Sequence, residues 1–370
     1  MGSEQPDAPP GADDPIDPQG GPPSGGPWTR FRGWAKRNKA ILWWMHSFYA
    51  LFLGFMVIMF AAKGFDHARI LAAVLGGAFL VMVVLFRVFG EGRQQKERVA
   101  GKALKKLQFL GMTYVLKNFY QGMLFFLLPF YWQSSSLDSI NAWFVFLLGL
   151  LAFLSTMDLV FDNLLMRYKP VAAVFFGVTL FACANLVIPA FLRNVPALVA
   201  LLLSASLSVI GFWLLHYPLR VFKQKGTWIT LSLAVAFAVG TVYFGRGALP
   251  PVPLYITHAG VGSQPLPDGR LSLEVTRVHR SLLTDLVAIS EIALPGGEGD
   301  AFRHVWRHKG AGFKVSTDAT RIGLDAEGSL RVTSALGRDR LPSNPVGEWI
   351  VDTMTTDDQL VGRVRFLVIE

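Results

Sequence analysis

Seven apolar stretches between Ala40 and Phe244, followed by about 120 mostly polar residues, constrain this chain more than anything else in it. They run Ala40–Ala62, Ile70–Phe89, Phe109–Tyr131, Ala142–Phe161, Val171–Phe191, Val195–Leu215 and Trp228–Phe244. A helix needs ~20 residues to cross ~30 Å of hydrocarbon. Most of the stretches are near that length, and continuation to Leu249 completes the last. Lipid offers no partner to backbone N–H and C=O groups, so runs of this kind must be helical. The expected architecture is a membrane all-α bundle of seven transmembrane helices followed by a soluble antiparallel β-sandwich. Its domains are a Pro/Gly-rich tail over 1–29, the spans over 30–249 and the β-sandwich over 250–370.

Basic residues set the orientation. With the amino-terminus cytoplasmic, the inner segments hold Arg30, Arg32, Lys36, Arg37, Lys39, Arg87, Arg93, Lys96, Arg98, Lys102, Lys105 and Lys106. Arg167, Lys169, Arg220, Lys223 and Lys225 bring that side to seventeen, against four outside: Lys63, Arg69, Arg193 and Arg246. This is the asymmetry of the positive-inside rule, and it alternates correctly across every span. An odd number of spans then places the carboxy-terminal domain in the periplasm, with the spans in a bacterial cytoplasmic (inner) membrane. Tyr131, Trp132 and Trp143 flank the short outer turn Gln133–Asn141, as an interfacial aromatic belt does.

The formal charge of +9 invites a nucleic-acid partner, but its distribution argues against one. The tail has five acidic and no basic residues, and the part from Pro250 onward has 13 basic and 15 acidic. The excess sits at the inner face, where anionic lipid headgroups are the expected partners. The segment Arg87–Gln108 fits a basic amphipathic helix on that surface, or charges that only set topology. The single cysteine, Cys183, falls in an apolar run and is expected as a packing residue. Without cysteine, the outer domain cannot rely on disulfides and needs a hydrophobic core. The tail, with 14 Pro or Gly in 27 residues, is expected to be disordered.

Beyond Pro250 the apolar period changes to two. Candidate strands are Val252–Thr257, Leu271–Val278, Leu286–Ala293, Ala301–His308, Gly312–Ser316, Thr320–Leu324, Leu330–Ser334, Gly347–Met354 and Leu360–Val368, separated by Gly, Pro and Asp turn signals. In the last, Leu360, Val364, Phe366 and Val368 share one face while Val361, Arg363 and Arg365 share the other. His304, Trp306 and His308 project from one face of their strand and form a candidate binding face. They do not form a metal site: residues four apart in a strand stand roughly 13 Å apart, too far to share an ion. The alternative is a core or rim tryptophan flanked by two hydrogen-bonded histidines.

The run Phe302-Arg303-His304-Val305-Trp306-Arg307-His308-Lys309-Gly310 resembles the opening signature of an uncharacterised bacterial module. So do Gly347-Glu348-Trp349-Ile350-Val351-Asp352 and Gly362-Arg363-Val364-Arg365-Phe366. That module is the domain of unknown function numbered twenty-nine fourteen. The helical part, with Lys117-Asn118-Phe119-Tyr120-Gln121 and Leu127-Leu128-Pro129-Phe130-Tyr131-Trp132, resembles the uncharacterised polytopic membrane family often fused to it. The resemblance supports the architecture and implies no established activity. Where the module often carries a tryptophan–serine pair, this chain has Arg331-Val332-Thr333-Ser334-Ala335-Leu336, which weakens any chemistry in that strand.

Within the spans, Lys117, Asn118, Gln121, Asp158 and Asp162 form a candidate intramembrane polar cluster. Lys117 with Gln121, and Asp158 with Asp162, are i,i+4 pairs on consecutive antiparallel helices. An unpaired charge in the bilayer costs at least ~2.5–3.5 kcal/mol, so Lys117 is expected to pair with Asp158. The pair serves as glue between helices, as part of a transport path, or as an acid/base site on a lipid-linked substrate. No P-loop, GxSxG, HExxH or CxxC is present, so no catalytic residue, metal or cofactor is assigned and an enzyme is not the favoured class. The expected function is display of a periplasmic β-sandwich that binds an envelope protein or glycan, with the spans as anchor and assembly surface. The rivals are a transporter-like protein with a polar path near Lys117 and Asp158, and an intramembrane enzyme.

Overall fold

The computed structural model describes residues 120–157 and 169–370, apart from 193, 218, 267–269, 284, 295–298, 311 and 325–328, together with scattered positions from 48 to 118. The tail, the basic segment at 87–108 and most of the first two expected spans lie outside the described residues. Five helices can be followed. We number them α1 (120–133), α2 (Ala142–Thr156), α3 (Lys169–Phe191), α4 (Ala197–His216) and α5 (Lys225–Gly245). Each is apolar on all sides instead of striped, as helices without a water-facing side are.

Among the described residues, three helical segments are long and apolar enough to cross a membrane: Ala173–Phe191, Ala197–Leu214 and Lys225–Ala248. The described parts of α1 and α2 are shorter, so the described residues support three candidate spans and not the full seven. Hydroxyls in these helices turn back on their own backbone. Thr179 Oγ1 donates to Phe175 O at 2.7 Å, Ser204 Oγ to Ala200 O at 2.6 Å and Ser208 Oγ to Ser204 O at 2.8 Å. A hydroxyl that finds its acceptor within its own helix is not left unsatisfied in an apolar surrounding. Helices α1 to α3 share a core around Met123, Leu127, Leu148, Phe175 and Leu186. Tyr131 Oη donates to Ala182 O at 3.0 Å and accepts from Asn185 Nδ2 at 3.2 Å, which ties α1 to α3.

The carboxy-terminal part is β-rich. Its strands are β1 (Tyr255–Gly262), β2 (Arg277–His279), β3 (Leu286–Ala293), β4 (Phe302–His308), β5 (Lys314–Asp318), β6 (Thr320–Leu324), β7 (Ser329–Leu336), β8 (Gly347–Thr355) and β9 (Leu360–Ile369). They form a four-stranded sheet, β1-β3-β7-β6, and a five-stranded sheet, β2-β9-β8-β4-β5. All pairings are antiparallel except β2 with β9. Side chains of both sheets meet in two apolar clusters. One joins Val261, Leu286 and Leu336 to Trp306, Trp349 and Phe366. The other joins Ile292, Leu330 and Val332 to Phe302 and Val361, and extends to Ala197 at the start of α4.

Several strand-level expectations change. The first strand runs Tyr255–Gly262 and not Val252–Thr257. Of Leu271–Val278 only the end is a strand, since β2 begins at Arg277 and the preceding residues cross the four-stranded sheet as a flap. Val361 does not share a face with Arg363 and Arg365. The register with β8 shifts between Leu360 and Gly362, and the extra residue turns the Val361 side chain into the core.

Candidate functional site

His304, Trp306 and His308 do share a face of β4, and that face looks inward. His304 and Trp306 have no exposed surface and His308 is 7% exposed. As an exposed binding face the trio does not stand, because a partner cannot reach it. His308 stacks edge-on against Trp349, with ring centroids 5.1 Å apart. Its Nδ1 accepts from Gly310 N at 3.3 Å, leaving Nε2 to donate to Val346 O at 3.0 Å.

His304 sits in a buried polar belt between the two apolar clusters. The inward rows of the strands read apolar, polar, apolar: Ala288, Ser290, Ile292 on β3, Phe302, His304, Trp306 on β4, and Val332, Ser334, Leu336 on β7. Hydrogen bonds run through the whole belt. Trp306 Nε1 donates to Thr317 Oγ1 at 3.0 Å, and the Thr317 hydroxyl has two acceptors in reach, Ser334 Oγ at 2.9 Å and His304 O at 3.3 Å. His304 Nδ1 lies 2.8 Å from Ser334 Oγ and Nε2 lies 3.1 Å from Ser290 Oγ, which is itself 2.7 Å from Thr353 Oγ1. A neutral imidazole donates from one of these nitrogens and accepts at the other, so both are satisfied. Burial pushes the imidazole down to about 4, which keeps it neutral. A serine beside a histidine is the pairing of nucleophilic catalysis, but here it is enclosed by both sheets and has no route for a substrate. The belt joins the sheets and sets their register. Its hydroxyls, Ser290, Thr317, Ser334 and Thr353, come from four different strands.

Of the expected intramembrane cluster, Lys117, Asp158 and Asp162 lie outside the described residues. Asn118 is half-buried and Gln121 is buried, both at the start of the α1 region.

The feature that sequence reasoning missed is the seam between the helices and the sandwich. Three connections at one end of the helices meet the β domain. From the α1–α2 turn, Asp138 Oδ2 accepts from Arg365 Nε at 3.0 Å, and the Asp138 carbonyl accepts from Arg363 Nη1 at 2.8 Å. Asn141, wholly buried in the same turn, donates from Nδ2 to Leu360 O at 3.2 Å. Where α3 turns into α4, Asp300 accepts from the Ala197 amide with both carboxylate oxygens, at 3.1 and 3.0 Å. After α5, Arg246 Nε donates to Asp357 O at 2.7 Å and Nη2 reaches Asp358 Oδ2 at 3.3 Å, while Arg303 holds the other oxygen of Asp358.

Charge continues from the seam across the outer face of the five-stranded sheet. Arg363 Nε donates to Asp352 Oδ1 at 2.6 Å, and Arg307 grips Asp352 Oδ2. Arg365 also donates to Glu348 Oε1 at 2.9 Å, whose Oε2 accepts from Lys309 at 2.8 Å. Burial raises the Asp138 carboxyl, but the hydrogen bonds and charges of Arg365 and Arg363 outweigh it and hold the group below its usual range. Asp300 goes the other way. Burial and the Asp357 charge outweigh the Ala197 hydrogen bond and Arg321, raising it to about 6.

Apolar helices joined to a docked, two-sheet β domain define the class. The chain belongs to the Family of unknown function (DUF5924), which matches residues 30–272. Kinship with an uncharacterised family, as the motifs implied, holds in that coarser sense. No curated protein matches the chain. An immunoglobulin-like protein of Pseudomonas aeruginosa is similar over 31% of this chain and 96% of that one, at 15% identity and a TM-score of 0.22.

Proposed function

We propose that this is a seven-span protein of the bacterial inner membrane that displays its β-sandwich in the periplasm. The sandwich binds an envelope protein or glycan, the helices act as anchor and assembly surface, and the carboxy-terminal part is the module numbered twenty-nine fourteen. The observation that carries this reading is the seam. The three connections with described contacts to the sandwich, within 134–141, 192–196 and 246–249, are all among those that the distribution of Lys and Arg assigns to the outer side. The apolar surface of α5 adds support. Trp228, Ile229, Leu233, Phe237 and Phe244 are all exposed on it, a patch expected to face lipid and costly in water.

Co-purification from native membranes tests the binding role. Envelope proteins or glycans should be recovered with the full chain and lost from a chain ending at Leu249. Recovery of the same material with both would assign binding to the helices and remove the sandwich from the function.

A further inference from the structure

Each sheet of the sandwich has two edges, and three of the four are blunted. The residues between β1 and β2 fold back over β1, where Val275 N donates to Val261 O at 2.8 Å and Gly262 pairs with Glu274. Two glycines admit this close approach. A Cβ on Gly260 would stand 2.8 Å from Glu274 Cδ, and one on Gly262 would stand 2.2 Å from Leu273 O. Strand β2, at one edge of the other sheet, is only three residues long. Strand β6 bulges at Ile322, because Arg321 and Gly323 pair with adjacent residues of β7, and a bulge interrupts regular pairing. An edge left open is a template for a further strand, and cover, shortness and bulges are the usual ways to prevent that.

The fourth edge, β5, has none of these. Its five residues keep an unbroken register with β4, from Lys314 opposite Arg307 to Asp318 opposite Arg303. Just beyond its ends, Phe313 O accepts from His308 N at 3.1 Å and Ala319 N donates to Phe302 O at 3.0 Å. Hydrogen bonding alternates along an antiparallel pair, so Phe313, Val315, Thr317 and Ala319 turn their backbone groups to β4. Lys314, Ser316 and Asp318 turn theirs to the open side, and all three residues are exposed. Val315 packs against the core and Thr317 belongs to the buried belt, so the strand is anchored from behind. Its outer charges are unmet. Arg307, opposite Lys314, has the same sign and is held by Asp352, while Arg303, opposite Asp318, is held by Asp358. Among the described residues neither Lys314 nor Asp318 has an ion-pair partner.

We propose that the open edge of β5 takes an added antiparallel strand from an envelope protein, with an acidic residue of that strand opposite Lys314 and a basic one opposite Asp318. Backbone hydrogen bonds to Lys314, Ser316 and Asp318 supply the attachment, and the two charge pairs set direction and register. A second copy in the same membrane does not fit. Strand β5 runs toward the seam, where Arg303 and Arg246 share Asp358, so an antiparallel copy would hold its helices on the opposite side. The assignment rests on the reading of the sandwich as the binding module, and it selects a protein over a glycan as partner.

A tethered strand tests this in the full chain. The segment Lys-Val-Thr-Val-Glu is fused after Glu370 through a Gly/Ser linker of about 20 residues, which spans ~25 Å. That matches the path to be crossed, four strand spacings of ~4.8 Å and one strand length of ~17 Å. Such tethers give effective concentrations in the millimolar range. Hydrogen exchange over residues 313–319, read by mass spectrometry in detergent micelles, should slow about tenfold at the Lys314, Ser316 and Asp318 amides. The charge-reversed segment Glu-Val-Thr-Val-Lys should slow it less than about twofold, as should Lys-Val-Pro-Val-Glu, which has no donor for the Ser316 carbonyl. Lys314→Glu together with Asp318→Lys, both exposed positions, should switch the preference between the two charged segments. No slowing by any segment, equal slowing by both charged segments, or a preference that does not switch would overturn the assignment. So would amides already slow in the unfused chain through self-association that Lys314→Glu removes, which would give the edge to a second copy. If glycan is the sole envelope material that depends on the sandwich, only the edge assignment falls. If the tethered strand pairs as expected but envelope material ignores the sandwich, the edge still accepts a strand and only the display reading falls.

Discussion

Asp300 satisfies the first amide of α4 from a position 103 residues further along the chain, with Oδ1 and Oδ2 at 3.1 and 3.0 Å from the Ala197 nitrogen. Helix N-termini leave amides without intrahelical partners, and Pro196 just before Ala197 has no side chain that can cap them. The β domain thus supplies the cap that the helix lacks, and one carboxylate ties the two parts together.

Burial gives that carboxylate a pH signature. Its folded pKa is raised to about 6, against ~3.9 in the unfolded chain. The contribution of Asp300 is therefore fully present below the unfolded value and lost as pH rises through 6, by ~3 kcal/mol in all. Asp300→Asn keeps an acceptor for Ala197 and removes the titration. Relative to the parent, the variant should gain up to ~3 kcal/mol between pH 4 and pH 7.5, as read by denaturant unfolding at each pH. A difference between the two proteins that does not change with pH would show that the buried charge is not the cause.

His304 titrates in the opposite sense. Its folded pKa is lowered to about 4, against ~6.5 unfolded. Its contribution is present above the unfolded value and lost as pH falls through 4, again by ~3 kcal/mol. Asp300 and His304 thus offset each other between pH 4 and 6.5. The parent should show a flatter stability profile there than either single variant. His304→Gln should lose stability with rising pH, and Asp300→Asn should lose it with falling pH. Parallel profiles for all three proteins would contradict the burial of either group.

Arginines two residues apart on β9 should differ in weight. Arg363 is 12% exposed and holds Asp352, itself 6% exposed, so Arg363→Ala leaves a buried carboxylate with less compensation. Breaking a buried pair typically costs ~3–5 kcal/mol. Arg365 and Asp138 are 43% and 39% exposed, and Arg365→Ala should cost at most ~1 kcal/mol. Thermal or denaturant unfolding of the two variants compares them directly. An equal cost would mean that exposure does not grade the seam.

Local pattern was legible where one face is uniform. The bounds expected for β3 and β6, Leu286–Ala293 and Thr320–Leu324, coincide with the strands, because turn residues bracket regular alternation. The expected run Val195–Leu215 matches α4 to within two residues, since uninterrupted apolar sequence has no other way to satisfy its backbone. The trio His304, Trp306 and His308 was placed on one face correctly, but the period of a strand does not say whether that face meets solvent or core. Hydroxyls on β3, β5, β7 and β8 decide that, and they come together only in three dimensions. The seam was beyond reach for the same reason. Asp138 and Arg365 are separated by 227 residues, and nothing in either local sequence names the other. Gly260 and Gly262 lie beyond Thr257, where the first expected strand ended, and the flap they accommodate leaves only the end of Leu271–Val278 paired as a strand.

Which side of the membrane the sandwich occupies is the central claim, and reporter fusions measure it most directly. A reporter active only in the periplasm, fused after Glu370, should be active, and the same reporter fused before Trp28 should be silent. Silence after Glu370 with activity before Trp28 would put the sandwich in the cytoplasm and contradict its display to the envelope.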